Sequence, residues 1–162
     1  MTEIRRAVPE IALSTDVIVG FPGESEAHFE ATLSLLEEVR FAQAFAFSYS
    51  PRPGTAAARW ESDVTPAVSA ARLGRLMDRQ QEIQRELNRE FEGRTVEVLV
   101  EGKDRHGVRP SGRTPCNRVA NVETEAALRP GTFATVLVER GYPNSLFGSL
   151  LRVGRTVENR RE

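Results

Sequence analysis

Five cations crowd one stretch of the chain. Lys103, Arg105, Arg109, Arg113 and Arg118 fall within sixteen residues, with Asp104 the only acid among them. A guanidinium meets a phosphate through two parallel N–H donors, so such a run suits the backbone of a nucleic acid. Asn117, Asn121 and Asn144 carry amides that both donate and accept, the chemistry needed to read the edge of an unpaired base. Tyr142 or Phe147 supplies a ring for such a base to stack on, although an ordinary core position is the simpler assignment for Phe147. The competing reading of the cations is a solvated loop; their density, on what reads as a small β-barrel, points to RNA.

A second stretch has the form of a ligand-binding turn. Val17, Ile18 and Val19 are a β-branched run without polar alternation, the pattern of a strand buried on both faces. Gly20-Phe21-Pro22-Gly23 breaks it, Ser25 is placed to cap the following helix, and Glu26 lies in that helix's first turn, where a carboxylate is favoured. In open α/β sheets and α/β barrels, ligands bind at the carboxyl ends of such strands. The same residues also make a plain structural turn.

The elements that must position these groups follow from the pattern. Residues 1–9 read as the last turns of a helix ended by Pro9, and residues 11–19 as a strand. Phe29, Leu33 and Leu36 define an amphipathic helix over residues 25–40, and Phe45 and Phe47 alternate with alanines in a strand over residues 41–49. This is a βαβ unit. Two strands do not close a barrel, so further strands are expected on its N-terminal side. The run Tyr49-Ser50-Pro51-Arg52-Pro53-Gly54-Thr55 leaves the second strand as a stiff loop.

Thr65-Pro66 opens a long helix, which Leu73, Leu76, Gln80, Ile83 and Leu87 stripe at helical spacing and Gly93 ends. Its Arg72, Arg75, Arg79, Arg85 and Arg89 read as a solvated face. Residues 95–100, 118–122, 132–139 and 146–153 are short strands separated by Gly and Pro, the signature of a small closed β-barrel. The fold class is therefore α/β plus all-β. A βαβ portion spans residues 1–64, a linking helix 65–92, a small antiparallel barrel 93–152, and a frayed tail 153–162.

Charge is divided along the same line. Residues 1–92 hold 10 Lys and Arg against 15 Asp and Glu, whereas residues 93–162 hold 12 against 8. The basic half is the one expected to meet a polyanion. No apolar run approaches the roughly 20 residues a membrane span needs, and Met1 to Arg6 is too polar for a signal peptide, so a cytoplasmic protein without membrane partners is expected. The single cysteine, Cys116, permits no internal disulfide and cannot by itself hold an iron–sulfur cluster.

The wording of both stretches resembles a known family. Thr15-Asp16-Val17-Ile18-Val19-Gly20-Phe21-Pro22-Gly23-Glu24 resembles the late-barrel motif of the radical S-adenosylmethionine methylthiotransferases, where it forms the fifth strand of a partial (β/α) barrel beside the adenine of the cofactor. The resemblance implies that Ile18 and Val19 offer apolar contact to S-adenosylmethionine and that Gly20 leaves room for its nucleoside. The run 49–55 is similar to the end of the sixth strand, which makes Ser48 and Tyr49 secondary candidates. Residues 93–151 resemble a TRAM domain, an OB-like RNA-binding barrel. Gly112-Arg113-Thr114-Pro115-Cys116-Asn117-Arg118-Val119 and Asn144-Ser145-Leu146-Phe147-Gly148 match the tRNA-modifying branch rather than the sibling that modifies a ribosomal protein.

What the resemblance implies is a C-terminal portion of an enzyme that adds a methylthio group to an isopentenylated adenosine beside the anticodon. Lys103, Arg105, Arg109, Arg113, Asn117, Arg118, Asn121 and Asn144 become the candidate RNA contacts, with a tRNA anticodon arm as partner. The complete enzymes use S-adenosylmethionine and 4Fe–4S clusters held by cysteine motifs that this sequence lacks. The chain is therefore expected to hold no cluster, to offer no catalytic or metal-ligating residue and to be inactive alone. It is expected to be a truncation, a split gene or a misplaced start, paired with the missing N-terminal half or self-associating through an open barrel edge. The alternatives are a stand-alone RNA-binding adaptor and the ribosomal-protein-modifying sibling.

Overall fold

A computed structural model describes residues 2–157. Its contacts divide the chain into two compact units, Met1–Ile83 and Gln84–Glu162.

The first unit contains α1 (Thr2–Ala7), β1 (Ser14–Val19), α2 (Glu26–Val39), β2 (Gln43–Ser48) and most of α3 (Pro66–Arg89). Helix α2 begins where the sequence provides a cap. Ser25 is extended (φ −71°, ψ 167°) and its hydroxyl accepts the His28 N–H at 3.2 Å, while His28 Nδ1 accepts the Ser25 N–H at 3.3 Å. This reciprocal pair satisfies two of the donors that every helix start leaves open. The other end closes on Arg40, in the left-handed region at φ 50°, whose N–H donates to Leu36 O at 2.8 Å.

Strands β1 and β2 pair in parallel, Ser14 opposite Gln43 through Val19 opposite Ser48. Only one face of this sheet is covered. Val19 is fully buried, and with it Phe29, Leu36, Val39, Leu76 and Ile83 form the unit's apolar interior. On the opposite face Ile18 and Phe47 are paired neighbours and remain 53% and 55% exposed, next to Phe45 at 48%. The expectation of a strand buried on both faces is corrected on this point. Side chains alternate across the pleat, and among the described residues no second layer covers the other side.

The arginines of α3 also depart from expectation. Arg72 is 6% exposed. It donates to Glu24 Oε2 and to Glu24 O, each at 2.8 Å, and to Glu26 Oε2 at 3.1 Å. Arg75 bridges Glu26 and Glu30, and Arg79 bridges Glu37 and Glu82. Instead of a solvated face, this row is an ionic seam along which α3 lies on α2. Alternation with Gln and Glu inside α3 concealed it, because apart from Glu82 the acids that pair with this row belong to α2 and to the glycine turn. Arg85 and Arg89 are exposed, as expected.

The second unit is a closed five-stranded barrel in the order β3-β4-β5-β7-β6, built from β3 (Thr95–Lys103), β4 (Pro110–Arg113), β5 (Val119–Glu123), β6 (Thr132–Tyr142) and β7 (Ser145–Thr156). Its interior is a period-two set: Val98 and Val100, Ala120 and Val122, Ala134, Val136 and Val138, and Leu146, none more than 1% exposed. Four of the pairings are antiparallel as expected. The closing one, β5 with β7, is parallel, because the β6–β7 ribbon folds back to fill the gap between β5 and β3.

Strand β4 has no counterpart in the propensity reading, since Pro110-Ser111-Gly112-Arg113 is a poor strand former. Its place is set by packing. A Cβ on Gly112 would lie 1.9 Å from Leu99 O, and one on Gly148 would lie 2.0 Å from Leu137 O. Both positions bring backbones too close for any side chain. Strand β7 also runs further than expected, to Thr156, so the start of the supposed tail is paired with β6. The remainder of that tail, residues 158–162, lies outside the described residues. Among the described residues no helix is long and apolar enough to cross a membrane.

Candidate nucleic-acid interface

The outward-facing residues of the barrel make a hollow of about 650 Å³. Its rim is the loop between β3 and β4, bearing Lys103, Arg105 and Arg109; its floor is Asn121 and Phe147; its far wall is the tip of the β6–β7 ribbon, with Tyr142 and Asn144. Strand parity accounts for the floor. Ala120 and Val122 point inward, so Asn121 points out, and the β5–β7 register sets it opposite Phe147. Phe147 is therefore not the core residue it was expected to be. Gly148 must face inward at the close crossing with β6, so Leu146 shares that side and Phe147 takes the other.

Two of the three cations around the hollow, Arg109 and Arg105, have side-chain partners. Arg109 Nε donates to Glu123 Oε2 at 2.6 Å, and its guanidinium lies 5.5 Å from the centre of the Phe147 ring. The Glu123 carboxylate holds Arg109 above the usual guanidinium range. Asp104 Oδ1 accepts the N–H groups of His106 (3.1 Å) and Val108 (3.0 Å), so the one acid in the cationic run is a turn residue. The Val108 amide, joined by those of Arg109 and His106, holds the Asp104 carboxyl below the usual carboxylate range. Arg105 Nε donates to His106 Nε2 at 3.1 Å, and Lys103 is exposed at the end of β3.

The other three candidates do not line this hollow. Arg113 pairs with Glu101 at 3.3 Å and donates to Asn117 Oδ1 at 3.1 Å. Asn117 occupies the left-handed region at φ 63°, in a turn where its N–H donates to Thr114 O. Asparagine is among the few residues that tolerate that conformation, which gives Asn117 a conformational task. Arg118 Nε donates to Asn88 Oδ1 at 2.9 Å, and its guanidinium sits 4.6 Å from the centre of the Phe91 ring, so its charge is engaged inside the barrel unit.

Asn88 is the residue sequence reasoning missed. It is 7% exposed, and while its oxygen accepts from Arg118, its Nδ2 donates to Tyr142 O at 2.6 Å and to Pro143 O at 3.3 Å. It thereby ties the tip of the β6–β7 ribbon in place. An amide near the end of a helix gives no sequence signal of this, because its partners are 54 and 55 residues away.

The five cofactor candidates of the first unit do not form one surface. Ile18 is on the open face, whereas Val19 is in the core and Ser48 lies opposite it on the same side of the sheet. Gly20, at φ +73°, does have its Cβ position occupied: Ser69 Oγ lies 2.3 Å from where the atom would be. Helix α3 thus packs against the Cα of this glycine. The Gly20 N–H donates to Glu24 Oε2 at 2.7 Å, joining the turn to the Glu24–Arg72 pair. At the end of β2, Tyr49 packs edge-on against Phe21 (4.9 Å between centroids), and its hydroxyl is buried without a hydrogen-bond partner. The donor set for an iron–sulfur cluster does not fit this chain. It has one cysteine, and among the described residues no group of three or more His, Cys, Asp or Glu could hold a metal ion.

Comparison with known proteins bears on both units. The family model for the TRAM domain matches residues 89–151. The tRNA-2-methylthio-N(6)-dimethylallyladenosine synthase of Geotalea uraniireducens is 44% identical over 152 residues, which is 94% of this chain and 34% of that protein. The enzymes of the same name from Tropheryma whipplei (45% identical, 96% of this chain) and Trichlorobacter lovleyi (48%, 92% of this chain) match over a similar span, again 34% of each. The chain thus spans about a third of the length of the curated relatives it matches. Residues 89–151 are a TRAM domain, and the chain as a whole corresponds in sequence to the C-terminal part of the tRNA methylthiotransferases.

Proposed function

We propose that this chain is the RNA-holding part of an enzyme that methylthiolates N6-dimethylallyladenosine in tRNA, beside the anticodon, in the cytoplasm. The observation that carries the reading is the barrel hollow, where Lys103, Arg105 and Arg109 meet Asn121 and Asn144 on one outward face. Cations supply affinity for phosphates without regard to sequence, and the amides add discrimination at base edges. The radical chemistry of such an enzyme depends on S-adenosylmethionine and a 4Fe–4S cluster. The cysteines for that cluster are not in this chain, and no step is assigned to its residues. Their work is to bind and orient the RNA.

The first unit supports the same reading. Ile18, Phe45 and Phe47 form an apolar surface on the uncovered face of a parallel sheet, and parallel sheets are stable when both faces are covered. The remaining part of a methylthiotransferase is the partner proposed for that face.

Titration of an anticodon stem-loop against the full chain at several salt concentrations tests the proposal. Three phosphate contacts from Lys103, Arg105 and Arg109 give a log–log slope of about −2, at about −0.7 per single-stranded contact. A slope near zero, or binding unchanged when Lys103 and Arg105 are both replaced by Ala, would remove the assignment.

A further inference from the structure

Resting on the RNA reading of the barrel, we infer that the hollow is a seat for one unpaired nucleotide, with Tyr142 as the ring on which its base stacks. Three rings border the hollow, and they are not equivalent: the His106 imidazole lies in the rim turn and accepts from Arg105 Nε. Phe147 is half-buried in the floor and its ring already carries the Arg109 guanidinium. Tyr142 stands at the wall, 46% exposed, and among the described residues its ring meets no other ring and no guanidinium.

The backbone beneath that ring is fixed. Asn88 Nδ2 holds Tyr142 O at 2.6 Å and Glu92 Oε1 accepts the Gly141 N–H at 2.9 Å. Gly141 itself lies so near the helix end that a Cβ there would be 2.3 Å from the carbonyl carbon of Asn88. A stacking platform held in this way needs little ordering when a ligand arrives, so more of the stacking energy appears as affinity. Asn121 and Asn144 flank the same space and meet the edge of a stacked base, while Lys103 and Arg105 at the rim meet its phosphates. A base locked in a duplex offers neither its face nor its pairing edge, so the seat selects single-stranded or flipped-out nucleotides.

The test compares two RNAs with the full chain: a hairpin with an unpaired loop, and a fully paired duplex of equal length. Tyr142→Leu is expected to weaken the hairpin about tenfold, within the range for loss of one base–aromatic stack. It should leave the duplex affinity and the salt slope as in the parent. Tyr142→Phe keeps the ring and should bind the hairpin like the parent. Because Tyr142 is exposed and its fixing contacts run through its backbone carbonyl, neither variant disturbs the barrel. Equal weakening of hairpin and duplex by Tyr142→Leu, or none of either, would overturn the nucleotide seat while the RNA reading stands. A parent chain that binds neither RNA overturns both.

Discussion

The two units reach stability by different routes. The barrel buries a period-two set of small aliphatic side chains inside a closed ring of strands, so every strand has two hydrogen-bonded neighbours. The first unit has two strands, one covered face and a row of ion pairs from Arg72, Arg75 and Arg79 to the acids of α2 and the glycine turn. A closed sheet needs no partner, whereas an open parallel sheet presents edges and an apolar face. The barrel closes on itself, whereas the first unit adds a row of ion pairs to a core that covers one face of its sheet.

The sharpest way to break this contrast is Gly148→Ala. The new methyl group falls 2.0 Å from the Leu137 carbonyl oxygen, so β6 and β7 cannot both keep their places. Amide exchange should show protection lost across β6 and β7 and retained in α2. Loss of protection in α2 as well would mean that the units do not stand apart. Arg72→Met ranks next. It keeps an apolar stem but leaves the Glu24 carboxylate, 10% exposed, without its cation. The first unit should melt at a lower temperature while the barrel transition stays in place, and Glu24→Gln in the same chain should recover part of the loss.

The smallest effect is with pH. Hydrogen bonds from Arg75 and Arg72 hold the Glu26 carboxyl below its ordinary 4.5, and Arg79 does the same for Glu37. A carboxylate with a depressed folded-state pKa contributes stability above its unfolded value and loses it as pH falls through the folded one. The first unit should therefore begin to loosen below about pH 4.5. Both carboxylates are solvent-exposed, so the shift should be modest. Circular dichroism of the helices from pH 6 to 3 would show it. An unchanged helical signal with loss of barrel protection would invert the comparison.

What the sequence made legible was local. Ser25 before a helical stripe and Thr65-Pro66 at a helix start each act within a few residues, and each stands where its chemistry requires. Gly93 has the left-handed φ expected of it, but α3 ends earlier, at Arg89, and the Gly93 N–H donates to Val138 O in the barrel. What it concealed was set across the fold. Strand β4 exists because its neighbours admit only Gly112, not because Pro110-Ser111-Gly112-Arg113 favours extension. Phe147 faces outward because Gly148, at the close crossing with β6, fixes the parity of their strand. Of the eight candidate RNA residues, five gather at the hollow; Arg113, Asn117 and Arg118 instead serve the turn after β4 and the clamp on Asn88. Types and density announced a cationic surface, but the partners that engage a given cation lie too far along the chain for spacing to reveal them.

The parallel closure of β5 on β7 also sets a timetable for synthesis. Strands β3, β4 and β5 are neighbours in sequence and can pair as they emerge, but both outer strands of that meander wait for the same later ribbon, β3 for β6 and β5 for β7. At roughly 5–20 residues per second, the chain between β5 and the middle of β7 takes on the order of seconds to appear. Over that interval Val98, Val100, Ala120 and Val122 have no lid, and the nascent meander carries two unpaired edges. A chaperone that reads extended apolar strands would meet the barrel only during that interval, whereas the apolar face of β1 and β2 stays open after folding.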